Sequence, residues 1–259
     1  MTSGRTYSWI AALLFAASAI VTITCSTSMA AMGGMAMPGG WTMSMAWMRL
    51  PGQSWPGAAA AFLGMWIVMM VAMMLPSLVP MLARYRRAVA RTGAMRLATL
   101  TVSVGGGYFL VWALIGLAAF PLGAGLAELE MQWPSVARAA PITVGAVALV
   151  AGALQFTAWK ARQLDCCRQV PGRVRPLRPV LGTAVRHGLR LGLHCSRCCA
   201  GLTAFLLVMG VMDLRAMAGV TAAITVERLA PASGPAARVI GIVILVAGVL
   251  LIARAVAGR

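Results

Sequence analysis

The chain has 259 residues, of which 61% are hydrophobic and 10% charged, with a mean hydropathy of +0.86. A soluble domain of this length cannot hide that much apolar side chain, so the composition excludes a water-soluble globular protein and makes the bilayer the expected solvent. The net charge of +17 does not point to nucleic acid, because the arginines cluster between apolar runs as the positive-inside rule expects of cytoplasmic loops.

A membrane core of roughly 30 Å needs about 20 helical residues, and the apolar runs at 8–27, 58–81, 97–120, 139–159, 192–212 and 239–257 meet that length. The expected class is an all-α, polytopic integral membrane bundle with six or seven transmembrane helices. The uncertain crossing is "LRAMAGVTAAITVERL", Leu214 to Leu229, which is short and either crosses or re-enters beside the fifth span. The first run reads as a retained helix. Its alternative is a signal peptide, with small residues around Ser28 and Ala30 at the cleavage position. The chain then divides into a first helix (1–27), a Met-rich outer loop (28–57), a metal-binding membrane domain (58–231) and a last helix (232–259).

Two basic segments separate the spans. "RYRRAVARTGAMR" carries Arg84, Arg86, Arg87, Arg91 and Arg96, and eight more basic residues run from Lys160 to Arg190. Placing both inside puts the amino terminus inside and leaves the 28–57 loop outside, with the single basic residue Arg49. "PLGAGLAELEMQWPS" is then outside as well. Six crossings put Arg254 inside and seven put it outside; the rule slightly favours the former.

The 19 methionines are concentrated. In the second span Met65, Met69 and Met73 recur at steps of four with Met70 and Met74 beside them, a spacing that lays sulfur along one helical face; Met81 extends the stripe. Pro76 can kink this helix. The outer loop adds Met29, Met32, Met35, Met37, Met43, Met45 and Met48 in a Gly-rich, apparently unstructured setting. Thioether sulfur selects Cu(I) over harder ions. Equally, methionine fills irregular gaps in a core.

Five of the six cysteines lie further on. "HCSRCC" opens the fifth predicted helix and sets Cys195, Cys198 and Cys199 on one face, with His194 and His187 upstream. Cys166 and Cys167 lie in the basic loop before it. Arg168 and Arg197 would favour thiolate there. Three convergent thiols suit a soft metal, while Cys195-Ser196-Arg197-Cys198 also has the C-x-x-C form of a thiol oxidoreductase.

The absences narrow the function. There is no G-x-x-x-x-G-K-[ST] and Lys160 is the only lysine, so the chain carries no P-loop of its own. Five acidic residues make no proton-relay series. Glu227 beside Arg228 reads as an end-of-helix ion pair, and no base and nucleophile set for hydrolysis is visible.

"MWIVMMVAMMLPSLVPM", "LQFTAWKARQLDCCRQ" and "GLRLGLHCSRCCAGLTAFLLVMGVMDLRAMAGVTAAITVERLAP" together resemble, from Gly57 to Pro231, a bacterial family of predicted metal-binding integral membrane proteins, domain of unknown function family 2182. The resemblance implies an inner-membrane protein handling copper, with Met69, Met70, Met73, Met74, Pro76, Cys166, Cys195, Cys198, Cys199 and Glu227 as motif positions. Asp213 stands where the family suggests an amide and Arg228 where it suggests lysine.

The resulting expectation is a non-enzymatic, Cu(I)-binding protein of the bacterial inner membrane that passes copper across or within the bilayer. In its sharpest form, outer methionines capture the ion, the Met65–Met74 stripe conducts it and Cys195, Cys198 and Cys199 accept it. The alternatives are a chaperone that binds without transport and loads a periplasmic or membrane metalloprotein, and a thiol–disulfide redox protein using Cys195 and Cys198.

Overall fold

In the computed structural model, residues 2–31, 33–38, 40–49, 52–168, 179–230 and 233–257 are described. Eight α-helices and one small hairpin follow in the order α1 (Thr2–Ala31), β1 (Met35–Met37), β2 (Trp41–Met43), α2 (Trp55–Ala88), α3 (Ala94–Gln132), α4 (Pro134–Leu154), α5 (Ala158–Arg168), α6 (Leu181–Met209), α7 (Leu214–Leu229) and α8 (Ser233–Ala257). Six of these, α1, α2, α3, α4, α6 and α8, contain stretches long and apolar enough to cross a membrane. The protein is therefore an all-α polytopic bundle.

Helix bounds depart from hydropathy in an informative way. At about 1.5 Å per residue, the 39 residues of α3 span about 58 Å, well beyond the hydrocarbon core. "PLGAGLAELEMQ" is thus helix rather than outer loop, and Pro121 is accommodated inside it. α6 begins at Leu181, so the Cys motif lies mid-helix instead of opening it. The first turns of α6 carry Arg186 and Arg190 and are amphipathic, which a window tuned to apolar runs passes over.

The described residues after α1 include a paired hairpin rather than unstructured chain. β1 and β2 pair antiparallel with Met35 opposite Met43 and Met37 opposite Trp41. Met37 and Met43 are buried with Ala127 of α3 and Ala137 of α4, and Trp41 Nε1 donates to the Ala137 carbonyl at 2.8 Å. The long α3 supplies the apolar wall that a sequence reading could not place beside this loop.

Near the other end of α1, the Tyr7 hydroxyl donates to the Val79 carbonyl at 3.0 Å and the Arg86 guanidinium sits 4.7 Å over the Tyr7 ring. The bundle thus has a hairpin end and a basic end. α3 and α6 run parallel between them in backbone contact. A side chain at Gly107 would meet the Val185 carbonyl, one at Gly188 the Val104 carbonyl and one at Gly192 the Tyr108 carbonyl, a small-residue apposition typical of membrane helices. α8 lies antiparallel to α4 through Gly145 with Gly248 and Gly152 with Gly241, which carries Arg254 to the hairpin end.

α7 runs between the two ends of the bundle. Just before it, Met212 accepts from the Ser26 hydroxyl near the hairpin end at 3.5 Å, and Asp213 caps it by accepting from the Arg215 and Ala216 amides. Its last turn meets Ser77, Met81 and Lys160 towards the basic end. Sixteen residues cover about 24 Å. The helix therefore returns the chain through the bundle, although it is too short and too polar to read as a span.

Candidate metal site

The site lies where α2, α3, α6 and α7 meet. On α2, Met69, Met70, Met73 and Met74 are all buried in the main core with Trp66 and Leu78, while Met65 is half-buried at its edge. Pro76 and Pro80 lie within this helix and leave the carbonyls four residues earlier without their usual amide donor. Ser77 works in the same stretch, its hydroxyl donating to the Met74 carbonyl at 3.0 Å.

Cys195 on α6 is fully buried and forms the centre. Its Sγ lies 3.9 Å from Met74 Sδ. The Tyr108 hydroxyl of α3 donates to the same Sγ at 2.9 Å, and Arg228 Nη1 of α7 does so at 3.1 Å. Arg228 Nη1 also donates to Ser77 Oγ at 2.8 Å, and Nη2 approaches Met81 Sδ at 3.6 Å. Cys199, one turn on, donates its thiol to the Cys195 carbonyl at 2.9 Å.

The three thiols do not gather as the spacing suggested. Cys195 and Cys199 belong to the main core, whereas Cys198 is buried in a second cluster with Met81, Leu164 and Ala237. Helical geometry explains the split: at 3.6 residues per turn, Cys199 is about 40° from Cys195 around the axis and Cys198 about 60° to the other side. Among the described residues, no three His, Cys, Asp or Glu side chains are placed to hold one metal ion. The soft donors that meet at Cys195 are the Met74 thioether from another helix and, one turn along α6, the Cys199 thiol.

Other expected ligands are dispersed. His194 is half-buried next to Cys195, and His187 stacks on Tyr85 with ring centroids 5.4 Å apart. Met29 is half-buried near the end of α1, Met35 is exposed on the hairpin edge and Met37 is buried beneath it. Between the hairpin and the Met69–Met74 stretch stands an aromatic column. Trp47 meets Phe62 at 5.0 Å and Phe62 stacks on Trp66 at 5.8 Å, with Trp66 Nε1 donating to the Trp112 carbonyl at 2.8 Å. The outer methionines and the buried sulfurs are therefore separate groups. Met32 and the side chains of Cys166 and Cys167 lie outside the described residues.

A buried ionic pair flanks the site. Lys160 Nζ is 2.7 Å from Glu227 Oε2 and 2.7 Å from the Cys198 carbonyl, and both side chains are almost wholly buried. Glu227 thus pairs with Lys160, not with its neighbour Arg228 as the sequence suggested, because consecutive helical residues point about 100° apart. Tyr108, Ser77 and Arg228 were not read as site residues. For Arg228 the signal was present, since an ionisable side chain at membrane depth is by default a functional suspect.

The donor set fits a soft ion. Metal–thiolate bonds are about 2.3 Å, so one ion can reach both Cys195 and Met74 across 3.9 Å. Fold and site together define a multi-pass membrane protein with a buried thiol–thioether centre. Residues 63–251 match the model of the PpoB2 family, described as copper chaperone, and the chain belongs to that family of copper-handling proteins. No curated protein and no solved structure matches the chain.

Proposed function

We propose that the protein is a copper(I) chaperone of the bacterial inner membrane, holding the ion between Cys195 and Met74 and handing it to a periplasmic or membrane metalloprotein. The observation that carries this reading is the 3.9 Å approach of the two sulfurs, both on fully buried side chains. Thiolate and thioether are the ligands that select monovalent copper, and Cys199, one turn away, is the nearest further thiol on the same helix.

Handover is favoured over flux by the aromatic column. Phe62 and Trp66 are 3% and 0% exposed and fill the level of α2 between the hairpin methionines and Met69–Met74, which suits a store reached by local opening better than an open conduit. The clustering of Arg84, Arg86 and Arg87 at one end of the bundle supports a cytoplasmic basic end and a cytoplasmic amino terminus.

The test is metal content of the purified full-length protein after exposure to Cu(I) under reducing conditions with Zn(II) as competitor. About one copper per chain, lost in Cys195→Ser, is expected. Stoichiometric copper retained by that variant would remove Cys195 and Met74 from the account.

A further inference from the structure

Arg228 brings a permanent charge to the sulfurs. Its Nη1 is 3.1 Å from Cys195 Sγ and its Nη2 is 3.6 Å from Met81 Sδ, and the residue is 5% exposed. A guanidinium does not lose its proton in a protein. The sulfur of Cys195 therefore faces a fixed positive charge in an environment where water screens little.

We infer that Arg228 is the charge-selecting residue of this site, admitting a monovalent soft cation and rejecting divalent ones. The inference rests on the reading of Cys195 and Met74 as copper ligands. Softness by itself does not provide this selection, since Zn(II) also takes thiolate readily. Charge does. Coulomb repulsion between the guanidinium and an arriving ion is proportional to the ion's charge, so a divalent ion meets twice the opposition of a monovalent one at the same place. The arrangement asks nothing of Arg228 as a ligand. It acts through the space around Cys195, Met81 and Ser77, and lysine there would carry the same charge.

The test compares the full-length protein with Arg228→Gln, Arg228→Lys and Cys195→Ser in detergent micelles, using Cu(I) with a competing chelator and Cd(II) as the divalent probe. In Arg228→Gln the affinity for Cd(II) relative to Cu(I) rises on the order of tenfold or more, whereas Arg228→Lys keeps the native ratio. Arg228→Leu, neutral and without sulfur, replaces the glutamine variant should that one not insert. An unchanged ratio in the neutral variant, or an equal shift in Arg228→Lys, overturns the inference. So does equal loss of both ions in Arg228→Gln, which would make Arg228 a positioning residue. Copper binding by Cys195→Ser equal to that of the native protein overturns the underlying site instead, and this arm tells the two failures apart.

Discussion

Lys160, the only lysine in the chain, and Glu227 make a 2.7 Å ion pair that joins the first turn of α5 to the last turn of α7 inside the bundle. Lys160 also caps the Cys198 carbonyl of α6 at 2.7 Å, so three helices meet on one ammonium group. Breaking such a pair from one side leaves an uncompensated buried charge, at a cost of about 3–5 kcal/mol. Glu227→Gln and Lys160→Met alone should each lower the thermal midpoint of the detergent-solubilised protein strongly. The double variant should recover much of the loss, and a merely additive double variant would show the pair to be uncoupled.

Met74→Leu separates sulfur chemistry from packing. Leucine and methionine are close in volume, and such swaps cost under about 1.5 kcal/mol in a core. The variant should insert and melt close to the native protein yet bind Cu(I) measurably more weakly. Met70→Leu, equally buried, should leave copper affinity as it is. Equal effects of the two on a copper titration would assign the whole stripe to packing.

Tyr108→Phe removes the hydroxyl that donates to Cys195 at 2.9 Å and keeps the ring. A net loss of about 1 kcal/mol in the copper-free protein is expected. The copper-loaded protein should be less affected, because an ion on the sulfur replaces the donor. Melting curves with and without Cu(I) read this difference directly, and equal losses in both would place Tyr108 outside the site.

Gly188→Ala tests the α3–α6 apposition. The added methyl would collide with the Val104 carbonyl, whereas one at Gly182 on the same helix meets open space. Overpacking costs about 1–3 kcal/mol, so Gly188→Ala should melt lower and lose copper as Tyr108 and Cys195 are pushed apart. Gly182→Ala should be neutral or slightly stabilising, as helix propensity alone would have it.

The membrane class, the six long spans and the basic clustering were legible because each is a local property: twenty apolar residues in a row need no partner to declare themselves. The residue types of the site were legible for the same reason. Cys195, Cys199 and Met74 stand out as soft donors whatever surrounds them. Helical spacing also narrowed which face each occupies, but could not choose between Cys198 and Cys199 as the companion of Cys195, since the two flank it on either side.

What belonged to the tertiary structure was every relation between helices. Met37 and Met43 are core residues because α3 runs on to Gln132 beneath them. Glu227 pairs with Lys160 across 67 positions of sequence, and Arg228 reaches Cys195 across 33. A short, moderately apolar helix such as α7 carries no hydropathic mark of its place inside the bundle; its polar end is tolerable there only because Ser77, Cys195 and Met81 receive it. Sequence alone determined the solvent of this protein and the chemistry of its ligands, which are written residue by residue. Which sulfurs meet, and which charge stands against them, was decided by packing, because a buried polar group is stable only where distant segments supply its partners.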